Sequence, residues 1–304
     1  MLLQNREALL KAGWDYPDFH LLHMAHHKLA YSISSNAQHT LPGDWQAEFR
    51  DLIADPDKKF IFSSELFFRT VEPQDVARFF PPDETKIVLY LRDHLSYMMS
   101  WYAQAVQERV LTASFADYVQ LFSQSFSGYL QKWENVYGAE NVITRAFERD
   151  SLEGADSRVD FLSTVEGVST DDIQLSEERS NLSISGNLLF FKKVLNLYMT
   201  DSEATTPPIT DEIGAFASLS DTFNGKFFVP AEDVGLVRRI FRQDMDVLNT
   251  RGLVFKAMPE EIDGNRCPDF RTLRQDIKFI KDVAVRTDKM FLKYAARWQD
   301  WHVM

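Results

Sequence analysis

The stretch KIVLYLRDHLSYMMSWYAQ, running from Lys86 to Gln104, decides how the chain is read. Ile87 to Leu91 is a continuous apolar run, the pattern of a strand in a parallel sheet covered on both faces. Arg92 and Asp93 stop it, and Asp93 is a ready N-cap for a following helix that runs to about residue 109. On that helix Leu95, Met98, Met99, Tyr102 and Val106 share one face. Ser96, Ser100, Gln104 and Gln107 fall on the other, at the helical period of about 3.6 residues.

Arg92 stands outside the carboxyl end of its strand, where open parallel sheets take their ligands. A guanidinium there holds a phosphate through two hydrogen bonds. Ser100 lies about two helical turns in, nearly above Asp93, within reach of the same anion. Spacing alone leaves two readings open: an anion site, or a solvated helix face beside a surface arginine.

The chain has 304 residues, enough for one large α/β domain or a domain with a sizeable appendage. Apolar residues make up 45% and charged residues 26%, an ordinary balance for a globular protein. A formal charge of -12 argues against a general nucleic-acid binder, whose affinity for phosphate backbones needs dense Lys and Arg. It leaves room for a small anion in a local cationic pocket. Cys267 is the only cysteine, so no internal disulfide forms and a cytoplasmic location is expected. The opening MLLQNREALLKAG lacks the apolar core of a signal peptide. No apolar run approaches the roughly 20 residues of a transmembrane helix.

Outward from the central stretch, helices are expected over 2–13, 18–34, about 114–136, 187–199, 231–250 and 270–300, with another beginning at Trp45. Residues 59–63, within KKFIFSSELFF, and NVITRAFE, from Asn141, read as further strands, and EPQDVARFFPP as a short helix stopped by Pro81-Pro82. Strands alternating with helices predict a parallel α/β sheet over residues 1–200. Residues 201–304 read as a helical extension packing on that core, entered through a loop at TDSEATTPPITDE.

An apolar strand ending in Y-x-R-D, with Ser eight residues after the Arg and S-W-Y following, resembles the 3′-phosphate-binding segment of the PAPS-dependent sulfotransferases. NREALLKAGWDYP, HHKLA, FIFSSELF, WENVYGAENVITRAFERDSL, DFL and RSNLSISGNLLFFKKVLN are similar, in the same order, to a bacterial branch of that family. The resemblance covers roughly residues 1–200 and implies a P-loop-like, three-layer fold around a central parallel sheet. It implies transfer of a sulfuryl group from PAPS to a hydroxyl or amine, leaving PAP, with no metal. Arg92 and Ser100 would then bind the 3′-phosphate. Glu65, in the SSE turn, would be the general base, a role that burial of the carboxylate would favour. The other reading of Glu65 is a helix-initiating acid after Ser63 and Ser64.

The family opens with a strand and a Gly-rich, Lys-containing loop that cradles the 5′-phosphosulfate. Here the sequence begins inside the helix that follows them, at MLLQNR. The first strand is therefore expected to lie upstream of an internal start codon; the alternative is a degenerate, non-catalytic relative.

In ERSNLSISGN, 178–187, Arg179 and Asn181 are candidates for touching the nucleotide, and Ser183 for nucleotide or acceptor; the segment reads equally as a capped loop. His20, His23, His26 and His27 cluster if 18–34 is helical, at spacings that suit a metal. A polar or substrate-facing helix is the preferred reading, with His26 or His27 lining the acceptor pocket. The partners expected are a glycan, a lipid-linked sugar or a small metabolite as acceptor, and a homo-oligomer is allowed. A sulfotransferase-like scaffold that transfers nothing is the competing class. A P-loop kinase is disfavoured, because no Walker-type loop is present.

Overall fold

The computed structural model describes residues 1–22, 24–34, 41–69, 71–175, 183–204 and 207–297. In chain order the elements begin with α1 (Arg6–Lys11), β1 (Trp14–Asp15), α2 (His27–Ile33), α3 (Trp45–Ile53), β2 (Lys59–Phe60), α4 (Leu66–Arg69), α5 (Pro73–Val76) and β3 (Ile87–Leu91). They continue with α6 (His94–Glu108), α7 (Phe115–Leu121), α8 (Phe126–Tyr137), β4 (Val142–Ala146), α9 (Ser157–Ser163) and α10 (Gly186–Asn196). Helices α11 (Asp201–Ala204), α12 (Pro207–Ala217), α13 (Ala231–Thr250), α14 (Leu273–Arg286) and α15 (Leu292–Ala295) complete the described chain.

The class is mixed α/β with small parallel sheets. β3 pairs with β4 in parallel, from Ile87 opposite Val142 to Leu91 opposite Ala146. β1 pairs in parallel with β2, Trp14 opposite Lys59. Among the described residues these are two separate two-stranded sheets, with no single central sheet joining them. Ile87, Val88, Leu89 and Tyr90 are accordingly half-buried, where the apolar run predicted cover on both faces.

The chain divides into two compact units. The first comprises Met1–Leu91, Phe126–Glu177 and Arg251–Val254, and holds the four strands found among the described residues. One of its cores gathers Leu9, Tyr16, Ile61, Leu162, Val165 and Ile173. Beside β2 an aromatic cluster centres on the fully buried Phe49, whose ring lies 5.4 Å from Phe62 and 5.3 Å from Phe80. Such contacts add about 0.5–1.5 kcal/mol per pair beyond area burial. Asp160 fastens α9 to β3: its carboxylate accepts from the Tyr90 hydroxyl at 2.6 Å and from the Glu153 N–H at 3.0 Å. Arg145 stands 3.6 Å away. Burial, with that carboxylate as neighbour, pushes the Tyr90 phenol well above its usual range.

The second unit comprises Arg92–Ser125, Glu178–Thr250 and Phe255–Met304. The predicted face of α6 is its core face: Leu95, Met98, Met99, Tyr102 and Val106 are all buried, with Leu188, Leu189, Phe191 and Leu195 of α10 in the same core. Lys192, fully buried on α10, closes the far end of α6 by donating to the Val106 carbonyl at 3.0 Å, the Arg109 carbonyl at 3.3 Å and Asn196 Oδ1 at 2.5 Å.

Four expectations about elements are corrected. The helix over 18–34 begins only at His27: Pro17 precedes a turn in which His20 has φ 51°, and Leu22 and Ala25 form an antiparallel bridge. The helix over 114–136 is two helices, broken by the polar run Ser123-Gln124-Ser125, where the Ser125 hydroxyl is bound to Asp244. The loop at TDSEATTPPITDE, 200–212, is largely helical among its described residues. Pro207 and Pro208 open α12, where a missing N–H costs nothing, and Ile209, Ile213 and Phe216 are buried in the core. In the last third, α14 ends at Arg286 and the short α15 follows.

Candidate functional site

The turn from β3 into α6 is built as its residues require. β3 ends at Leu91, whose carbonyl accepts the Phe147 N–H at 2.6 Å just beyond β4. Arg92 follows with its side chain exposed. Asp93 caps α6, Oδ1 accepting the Ser96 N–H at 2.9 Å. Ser96 is exposed and Ser100 half-buried, on the polar side of the helix. The turn thus presents a guanidinium at a strand's carboxyl end, with the neighbouring carboxylate engaged in capping. That arrangement can hold an oxyanion.

In the same unit a cleft of about 160 Å³ opens beside this turn, lined by Asp93, His94, Asn249 and Lys256 and, on its apolar side, by Met245 and Phe255. Arg238 on α13 holds the segment behind it by donating to the carbonyls of Met258 and Pro259. His94 is buried, stacked on Phe241 with ring centroids 4.4 Å apart. Its Nε2 meets Asp244 Oδ2 at 2.7 Å, and the Ser125 hydroxyl donates to Asp244 Oδ1 at 2.7 Å. Sequence reasoning missed this trio. Its signal was Asp244 itself, a carboxylate spaced like the core residues Val237, Phe241 and Leu248 of α13.

Glu65 lies in the first unit, on the turn between β2 and α4, and is exposed, outside the buried setting that the sequence reading sought for a general base. The same turn is clamped by the histidine pair. The His26 N–H donates to the Ser63 carbonyl at 2.8 Å, and the Ser63 N–H donates to His26 Nδ1 at 3.2 Å. Because Nδ1 accepts, Nε2 carries the ring proton and donates it to the Pro17 carbonyl at 3.0 Å. Burial lowers the pKa of His26 below its ordinary value of 6.5, which suits this neutral tautomer. His27, one residue on, places Nδ1 2.8 Å from Ser64 Oγ. The spacing that suggested a metal dissolves with the missing helix. His20 sits on the preceding turn, 3.6 Å from Glu48, and His23 lies outside the described residues.

Arg179 and Asn181 also lie outside the described residues. Ser183 is exposed and is followed by the buried Ser185, which ties the start of α10 to the Asn224 carbonyl at 2.7 Å. Cys267 offers no nucleophile, because burial pushes its thiol up to about 11 and keeps it protonated at neutral pH. No protein-family model, curated protein or solved structure matches the chain.

Proposed function

We propose that the chain is a PAPS-dependent sulfotransferase of P-loop-like, three-layer architecture, acting on a hydroxyl or amine of a glycan, a lipid-linked sugar or a small metabolite. The observation that supports this reading is the exposed guanidinium of Arg92 at the carboxyl end of a parallel strand, one residue before the Asp93 cap of α6. In this reading Arg92 grips the 3′-phosphate of PAPS or PAP through paired N–H bonds. The Ser100 hydroxyl, on the face of α6 that Asp93 begins, adds a further donor. The Ser96 N–H takes up one oxygen of Asp93, and the N-terminus of α6 partly offsets its charge. Arg179 and Asn181 enter as nucleotide contacts through the resemblance alone. Glu65 takes the acceptor's proton as the sulfuryl group moves. PAPS supplies that group as cosubstrate, and the reaction calls for no metal.

Thermal melts with PAP and with AMP, which lacks the 3′-phosphate, test the phosphate assignment. PAP is expected to raise Tm more than AMP does, and Arg92→Ala to abolish the difference. Equal shifts from the two nucleotides in the unmutated chain would overturn the assignment.

The exposure of Glu65 favours a second reading, a sulfotransferase-like binding protein without turnover, since general bases work best where water is excluded. Sulfate transfer from labelled PAPS to a panel of sugars and small alcohols separates the two. For an enzyme, Glu65→Gln should lower turnover about a hundredfold or more while the PAP shift survives. A PAP shift with no transfer to any acceptor selects the binding protein.

A further inference from the structure

The β2–α4 turn carries a second chemistry that the sulfotransfer reading does not use. Ser64 Oγ lies 2.8 Å from His27 Nδ1 and accepts the Leu66 N–H at 3.1 Å. With one lone pair engaged by that N–H, the single hydroxyl hydrogen is available to the imidazole nitrogen. Both side chains are half-buried, so the pair is held by the fold and still open to a small molecule. Its geometry is fixed from the adjacent residue. His26 is joined to Ser63 by two hydrogen bonds and to Pro17 by a third, and His27 and Ser64 follow directly along the two backbones. A hydroxyl within hydrogen-bond reach of an imidazole that is itself oriented by its surroundings is the arrangement of an activated nucleophile.

We propose that Ser64 is a nucleophile with His27 as its base, and that this turn reacts with carboxylic esters of small alcohols. Ser64 Oγ attacks the ester carbonyl carbon while its proton passes to His27 Nδ1. The carbon–alkoxide bond breaks, and the leaving alkoxide takes that proton from His27, so an acyl-Ser64 and a neutral alcohol remain. Water, deprotonated by the same imidazole, then attacks the acyl carbon. Ser64 Oγ leaves and recovers the proton, releasing the carboxylic acid. The step needs no nucleotide, so it stands or falls independently of PAP binding.

The full chain is treated with a fluorophosphonate probe, whose phosphorus Ser64 Oγ attacks as fluoride leaves. The adduct is located by intact mass and peptide mapping, and folding of every variant is checked by circular dichroism and Tm. The expected result is one adduct on Ser64, absent in Ser64→Ala and formed about tenfold or more slowly in His27→Ala. Added imidazole should restore part of the His27→Ala rate, whereas a histidine that only shapes the turn would show no such rescue. His27→Asn, which keeps a hydrogen-bonding group without a base, should label as slowly as His27→Ala. A folded chain unlabelled at Ser64, or a His27→Ala variant that labels at the native rate, overturns the proposal.

Discussion

Lys192 sits with its ammonium among carbonyl and amide oxygens, and two opposing effects act on it. Burial pushes its pKa from 10.5 down to about 7, while the Val106 and Arg109 carbonyls and Asn196 Oδ1 favour the charged form. Above pH 10.5 the amine is neutral in the folded and unfolded chains alike, and burial carries no charge penalty. As pH falls, the unfolded chain takes up the proton first and the folded chain only near 7. Stability is therefore lost progressively between about 10.5 and 7, with a slope of up to about 1.4 kcal/mol per pH unit. Urea unfolding at several pH values across this window should show that slope in the native chain and a flatter profile in Lys192→Met. Parallel profiles would show that the ammonium is not the source. His26 acts in the same direction in a lower window: its depressed pKa costs stability as pH falls below the ordinary histidine value of 6.5. Neither role was legible in the sequence. Lys192 is one of a Lys-Lys pair in FFKKVLN, and nothing in that string tells which lysine turns inward.

The β3–α6 turn was read almost as it stands, because each of its signals is local. A continuous apolar run, an Asp cap and a 3.6-residue stripe act within a few residues of one another, and nothing distant overrides them. The segment before α2 failed for the converse reason. Its histidines and apolar residues have helical spacing, but backbone and side-chain bonds from His26 to Ser63 and Pro17 extend that stretch instead. Tertiary contacts outweigh a propensity difference of a few tenths of a kcal/mol per residue. The start of α10 shows the same distant control. Gly186 adopts φ +58°, and a Cβ there would run into the Thr222 carbonyl oxygen. The partner that demands a glycine lies 36 residues away in sequence, so SISGN carries no sign of it. The candidate residues divide along the same line. Arg92 and Asp93 announced themselves, whereas the Ser64–His27 pair and the Asp244–His94 pair join residues 37 and 150 apart.

A formal charge of -12 sets a condition on any nucleotide that Arg92 is to hold. PAP carries several negative charges, so at long range the chain repels it, while at short range the exposed guanidinium attracts it. Salt acts differently on the two. The Debye length is about 30 Å at 0.01 M and about 8 Å at 0.15 M, so added salt removes the long-range repulsion first. The contact with Arg92 is exposed, and its own attraction is screened as well, which shortens the lifetime of the complex. Association of PAP should therefore speed up between 0.01 and 0.15 M salt, and dissociation should speed up with it, as stopped-flow measurement of both rates would show. Arg92→Ala should keep the salt dependence of association, which belongs to the net charge, and lose most of that of dissociation, which belongs to the guanidinium. An association rate that falls steeply with salt would mean instead that a cationic field around the turn outweighs the chain's net charge, and that charges beyond Arg92 steer the ligand.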